Sequence, residues 1–452
     1  MTQTLMKSVS GIRGIVGESL TPKLIHDVAV AFAAYTKGGL VIIGRDSRPT
    51  GEAILSETAS ILAQCGCDVI DIGIVPTPTV QVAVEEFNAA GGIVISASHN
   101  PIEWNAFKLI NKTGTFLSEK EIAKFFELLE KPPRYVKWNG FGTIKKDNSA
   151  NALHIARVLS VIDTKVIKKR KFKVVLDSVN GAGSLITQDF LARLGCKVIP
   201  LYCEMNGLFP RGAEPLSENL TALCEAVKKH NADIGFAQDP DADRLAIVDN
   251  TGHAIGEENT IALVTEHFFS RKSGKAIINL STTKSIEDIA ARHGSTVQRA
   301  KVGEINVVDV MRKTGADIGG EGNGGVISPE IHLGRDSLAG IAYILSMMAK
   351  RGQSVKQILD TLPSYIMKKG KVTIGAKTKS AEKLNIIKKQ YANEKTSTLD
   401  GLRIEFVHEP RFAGGWVHLR SSNTEPIFRI ITEGKDEKQA SLIYSHFAAM
   451  FK

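Results

Sequence analysis

The chain has 452 residues, enough for several domains, with 43% hydrophobic and 23% charged residues, the balance of an ordinary globular chain rather than a disordered or fibrous one. Its longest apolar stretches, such as 341–348, are too short to span a bilayer, and residues 1–13 lack the apolar core of a secretory leader, so a cytoplasmic protein with no membrane partner is expected. The net charge of +9 suits anionic ligands, while five scattered cysteines supply neither a disulfide framework nor a zinc site and read as reduced thiols.

In chain order, Leu40–Ile43, a polar loop, a helix ending in Gly66 and the strand Val69–Gly73 make a first βαβ-like unit. Gly91-Gly-Ile-Val-Ile-Ser-Ala-Ser-His-Asn-Pro101 follows, a strand that delivers Ser96, Ser98, His99 and Asn100 onto a loop, and Pro101 ends its ladder. A hydroxyl flanked by donors suits acyl or phosphoryl transfer, and this is not the G-x-S-x-G elbow of hydrolases; a plain Ser/Asn turn is the alternative. The Pro-, Lys- and Gly-rich stretch 131–148 reads as a linker. A second unit runs from Phe172–Leu176 through a helix ending at Gly195 to Val198–Leu201. The basic run Lys165–Lys171 reads as a solvated helix end rather than a nucleic-acid patch.

Asp239-Pro-Asp-Ala-Asp-Arg244 lies between two apolar strands and carries three alternate carboxylates that can converge on one hard cation; an acidic surface turn is the competing reading. An EF-hand fails because Arg244 and Asn250 stand where Gly and Glu are required. A third unit spans Lys275–Ile278, a helix ending at Gly294, and Val297–Lys301. Gly319–Gly325 formally contains G-x-G-x-x-G, but Pro329 prevents a prompt helix, so a loop offering Glu321 and Asn323 to sugar hydroxyls fits better. Beyond Lys368–Lys371 a polar helix (381–393) and three strands suggest a smaller α+β domain. Arg420-Ser-Ser-Asn-Thr-Glu-Pro426, with Arg429, has the composition of a phosphate nest. The expected domains are 1–148, 149–250, 251–366 and 367–452.

These four segments, in this order, resemble the α-D-phosphohexomutases, and Ser10-Gly-Ile-Arg-Gly14, Gly44-Arg-Asp-Ser-Arg48 and Asn105-Ala-Phe-Lys108 extend the likeness over nearly the whole chain. The resemblance implies an α/β fold of four domains around a central cleft, three with similar mixed-sheet topology and a smaller, mobile C-terminal α+β domain. It implies that Ser98 is a phosphoserine; that Asp239, Asp241 and Asp243, with a Ser98 phosphoryl oxygen, hold one Mg²⁺; and that Arg13, Lys108 and Arg244 surround the phosphoryl group. Glu321 and Asn323 would bind sugar, and Arg420, Ser422, Asn423, Thr424 and Arg429 would grip the substrate's resident phosphate.

The implied reaction moves phosphate between C6 and C1 of a hexose. In-line attack across one ring is geometrically poor, so phospho-Ser98 gives its phosphate to the free hydroxyl and, after the 1,6-bisphosphate turns around, takes the other. A hexose 1,6-bisphosphate is the expected activator, hexose phosphates the partners, and a monomer or homodimer the assembly. Many family members place a histidine where Gly325 stands, and Asn323 replaces a serine; His332 is then a candidate acid/base, with a structural histidine as the alternative, and His99 is expected to orient Ser98. The loop variant resembles an archaeal-type branch and favours phosphoglucosamine over phosphomannose or phosphoglucose. A phosphosugar phosphatase and a non-enzymatic phosphate- or nucleic-acid-binding protein are the competing classes.

Overall fold

Four β-sheets, each covered by helices, follow one another along the chain in the computed structural model, which describes residues 5–373, 380–421 and 427–451. The first sheet has seven strands in the order Met6–Ser8, Gly11–Ile15, Trp104–Asn111, Gly91–Ile95, Val41–Arg45, Val69–Ile74 and Ile144–Lys146. The second has four: Leu245–Val248, Ile234–Gln238, Lys173–Asp177 and Lys197–Leu201. The third has five: Thr296–Ala300, Lys275–Asn279, Ile318–Glu321, Gly325–Ser328 and His332–Arg335.

These three sheets share one plan. The opening strand of the unit (Val41–Arg45, Lys173–Asp177 or Lys275–Asn279) lies between two parallel neighbours, and the later neighbour continues into an antiparallel partner. The central strands are buried on both faces, which explains their continuous Val/Ile runs. Glycine closes several helices: Gly315 and Gly352 adopt the left-handed conformation that stops the ladder. The fourth sheet is wholly antiparallel, in the order Ile366–Thr373, Ile427–Gly434, Trp416–Ser421, Leu402–Glu405 and Lys395–Ser397. It has its own core around Phe412, Phe428 and Phe447, whereas the core holding Phe190 and Tyr343 runs across the second and third sheets, and that holding Val80 and Val308 across the first and third.

Two local expectations change. The stretch read as a linker contributes Ile144–Lys146, a parallel edge strand of the first sheet, because Asp68 accepts from the Thr143 amide (2.8 Å) and fixes the register there. The polar helix ends at Gln390, and four strands follow it rather than three. Among the described residues no helix is long and apolar enough to cross a membrane.

Candidate active site

The shared plan positions the chemistry. In each of the first three sheets, the link between the last parallel strand and its antiparallel partner is a short polar loop at the carboxyl end of the sheet. Those loops are Ser96–Glu103, Asp239–Arg244 and Gly322–Gly324. The three loops meet at a cavity of about 410 Å³: His99, Arg244, Glu321, Gly322 and Asn323 line it, and Ser98 and the aspartate trio lie immediately beside those lining residues in the chain. Arg13, His99 and Lys108 line it from the first sheet, Glu214 and Arg244 from the second, Glu304, Glu321, Asn323 and Arg335 from the third, and Lys369, Arg420 and Arg429 from the fourth.

Ser98 is buried, and its backbone is left-handed (φ 50°), a conformation that costs a non-glycine residue about 1–2 kcal/mol. The surroundings impose it. The Ser96 hydroxyl accepts from the Ser98 amide (3.0 Å) and donates to Asp46 (2.7 Å), while Arg48, paired with Asp46, donates to the Ser98 and Asn100 carbonyls at 2.9 and 2.5 Å. The Ser98 hydroxyl is thereby aimed at Asp239, donating to Oδ2 at 2.9 Å, with His99 Nδ1 3.5 Å away.

Asp239 Oδ1 caps its own loop, accepting from the amides of Asp243 (3.1 Å) and Arg244 (3.2 Å). All three aspartates are fully buried, and one carboxylate oxygen from each falls within 4.8 Å of the others. Burial, then the neighbouring Asp243 and Asp241, push the Asp239 carboxyl well above the usual range. Asp241 shows the opposite balance: burial opposes ionisation, but Lys108 and the Thr77 hydroxyl, both hydrogen-bonded to it, hold it well below the usual range. Burial works against the Lys108 charge too, yet Asp241 and Asp243 outweigh it and keep the ammonium protonated. Burial, reinforced by Arg244, Arg13 and Arg335, drops the His99 pKa to about 2, so its ring is neutral.

The described chain matches four consecutive sequence families: phosphoglucomutase/phosphomannomutase α/β/α domains I, II and III over residues 5–135, 152–252 and 257–365, and the C-terminal domain over 367–449. The chain belongs to the phosphoglucomutase/phosphomannomutase family. It is 39% identical over 440 residues to a phosphoglucomutase/phosphomannomutase of Thermococcus kodakarensis, covering 95% of this chain and 94% of the other. It is 33% identical over 442 residues to a Methanopyrus kandleri protein named "Probable phosphoglucosamine mutase" (97% and 96% covered). A crystal structure of a phosphoglucomutase/phosphomannomutase family protein from Burkholderia thailandensis superposes with a TM-score of 0.83 at 25% identity, covering 98% and 97% of the two chains. The protein is an enzyme, a phosphohexomutase of the isomerase class. The phosphatase alternative finds no support among these relatives.

In this phosphohexomutase the aspartate trio fits a divalent cation. Asp241 Oδ1 and Asp243 Oδ1 are buried without a hydrogen-bond partner, and the latter has only Arg244 Nε at 3.9 Å beside it, so two hard oxygens are left for a cation. The expected cations converge as well: Arg13 donates to Asn100 Oδ1 (3.0 Å), and Arg244 pairs with Glu214 (2.8 Å). Arg420 and Arg429 are cross-strand partners at the far wall, and Arg420 lies 3.0 Å from Asp400. Ser422, Asn423 and Thr424 lie outside the described residues.

His332 is buried and packs with His154 and Asp336 rather than against Ser98. The strand geometry explains this: residues three apart on Gly325's neighbouring strand face opposite sides, and Arg335 takes the side facing the cavity. Arg335, which the sequence reading passed over, ties the site together through Asp243 (2.6 Å), Glu321 (2.8 Å) and Glu304 (3.1 Å). It occupies the space beside Gly325, where an added Cβ would come 2.3 Å from Arg335 Cδ. The missing signal was therefore present in Gly325 itself: the absent side chain makes room for a guanidinium.

Proposed function

We propose that the enzyme carries a phosphoryl group between O6 and O1 of a hexose phosphate on Ser98, through a 1,6-bisphosphate. The observation that carries this reading is the Ser98 hydroxyl 2.9 Å from Asp239, held in a left-handed turn at the edge of a cavity that four sheets share. Asp239, Asp241 and Asp243 would hold Mg²⁺ with a Ser98 phosphoryl oxygen, and the ion when bound supplies Lewis-acid stabilisation of developing phosphoryl charge.

The chain's own residues supply the rest. Lys108 stays protonated and, with Arg13 and Arg244, offers charge to the equatorial phosphoryl oxygens. Arg48 fixes the loop carbonyls, so the serine oxygen needs no reorganisation before attack. Neutral His99 sits beside that oxygen and orients the hydroxyl in the dephospho state. Arg420 and Arg429, with Ser422, Asn423 and Thr424, would hold whichever phosphate is not reacting. Two arginines read phosphate geometry rather than sugar identity, as a site that must accept either end requires. Glu321 is held by Asn279, Gly303 and Arg335, so it meets a sugar hydroxyl with one orientation.

For the sugar, the greater identity to the Thermococcus phosphoglucomutase/phosphomannomutase supports glucose and mannose phosphates. The glycine-rich loop and the Methanopyrus relative support glucosamine phosphate as the second reading. The test is intact-mass analysis after incubation with glucose 1,6-bisphosphate, with coupled assays on all three sugars in Mg²⁺ and in chelator. Wild type should gain one phosphoryl group on Ser98, and Ser98→Ala should lose at least about 10³-fold in turnover. Mutase turnover persisting in Ser98→Ala would refute the relay.

A further inference from the structure

Behind the reaction loop lies a second cluster of chemistry-bearing side chains that the relay does not use. We propose that His154, His332 and Asp336 form a binding site for a transition-metal ion of the Zn²⁺ class, separate from the aspartate trio. One ligand atom from each residue lies within 4.8 Å of the others, and all three residues are buried.

The atoms are already arranged as ligands. Asp336 Oδ1 is occupied capping the helix Ser337–Arg351 through the Leu338 amide (2.8 Å), which leaves Oδ2 for the cluster. His154 Nε2 stands 2.9 Å from that oxygen and His332 Nε2 3.4 Å from it. Tetrahedral Zn²⁺ with bonds of about 2.0–2.1 Å separates its ligands by roughly 3.3 Å, so little movement is needed. The two rings meet edge to face, at 90° with centroids 5.9 Å apart, so they converge on the carboxylate rather than stack. His154 Nδ1 bonds the Thr79 hydroxyl (2.9 Å), the outer hydrogen bond that metal-bound imidazoles use to fix ring orientation.

An independent observation points to a ligand. His332 Nδ1 has no hydrogen-bond partner and Nε2 has only the long 3.4 Å approach to Asp336 Oδ2, although the residue is buried. Burying a polar group so poorly satisfied is unfavourable, and a bond from Nε2 to a cation would relieve it. The donor set also separates the two sites. Two imidazoles and one carboxylate favour Zn²⁺ and its neighbours, whereas three carboxylates favour Mg²⁺.

The location gives the ion a task. Thr79 belongs to the helix Thr77–Glu86 of the first sheet, His154 to the helix Ala150–Ser160, and His332 and Asp336 to the third sheet and the helix after it. The next residue, Ser337, donates to the Ala242 carbonyl (2.7 Å), the left-handed turn inside the aspartate loop. The preceding residue is Arg335. An ion here would staple three chain segments directly behind the groups that hold the phosphoryl site.

The test uses the full-length protein, stripped with chelator, held in excess Mg²⁺ to fill the aspartate trio, and titrated with Co²⁺. The expected result is one equivalent bound, with the intense visible absorption of tetrahedral Co²⁺, displaced by Zn²⁺. His154→Gln and His332→Gln should each abolish that absorption, and Asp241→Asn should retain it. X-ray absorption of the zinc-loaded wild type should show imidazole scattering, a readout that needs no variant. Absence of tetrahedral absorption in the wild type, its persistence in both histidine variants, or a shell of oxygens alone would overturn the assignment.

Discussion

Replacing Gly325 by alanine tests whether Arg335 is the clasp of the active site. Gly325 has no positive φ, so alanine brings no backbone strain, only a methyl 2.3 Å from Arg335 Cδ and 2.9 Å from Cγ. Ordinary contact begins at 3.4 Å, and the arginine stem must therefore retreat by roughly 1 Å. Its three ion pairs, at 2.6, 2.8 and 3.1 Å, cannot all survive that shift. Stranding a buried charge outright costs about 3–5 kcal/mol; a displaced arginine keeps part of its contacts, so a stability loss of about 2 kcal/mol is expected. Asp243 and Glu321 lose their common tether at the same time. A misplacement of this size typically costs about 10²-fold in rate. The assay is a double-mutant cycle with Arg335→Ala, reading urea stability and kcat/KM. In the Arg335→Ala background, which removes both clashing atoms, the Gly325→Ala change should be almost silent, giving a coupling of about 2 kcal/mol. Equal effects of Gly325→Ala in both backgrounds, or kcat/KM unchanged in the single variant, would refute the reasoning.

Three further outcomes are expected. Thr77→Val removes the hydroxyl that donates to Asp241, and the Mg²⁺ concentration for half activity should rise about 10–100-fold. Burial, with Glu257 and Glu433 adding to it against Lys369, raises the Glu258 carboxyl to about 7. Below its unfolded pKa both states hold the proton and nothing is gained or lost; as pH rises towards 7 the unfolded chain releases it first, so this group costs the wild type stability. Glu258→Gln should therefore be more stable than wild type at pH 8 by about 2 kcal/mol in urea titrations, and indistinguishable at pH 4.5; a gain only at low pH contradicts the assignment. Gly142→Ala would place a Cβ 1.9 Å from the Cys67 carbonyl oxygen, and hydrogen exchange in Ile144–Lys146 should rise sharply while kcat holds.

The parts of the site that the chain carries contiguously were legible in advance. Ser98 and the three aspartates each follow an apolar strand, and the strand pattern locates the loop that must follow. The equivalence of those loops was not legible, because it depends on which strands become neighbours. Arg335 illustrates the limit: in Leu-Gly-Arg-Asp nothing marks it, and its importance arises from three carboxylates brought from 14, 31 and 92 positions away. His332 shows the complementary limit, since distance along the chain says nothing about which face of a strand a ring takes. The edge strand Ile144–Lys146 was hidden by its composition: lysines and glycines usually mark connections, and here lysine instead occupies an exposed sheet border, where it discourages pairing with other chains.

The hydrogen bond from Ser98 to Asp239 has a consequence for the life of the catalyst. On the proposed relay, a serine that had lost its phosphoryl group would not leave an unsatisfied hydroxyl, because Asp239 accepts its hydrogen bond. The spent form would thus be a comfortable resting place for that side chain. Any bisphosphate that drifted away before handing its second phosphate back would strand the molecule there, and return would require a donor from outside.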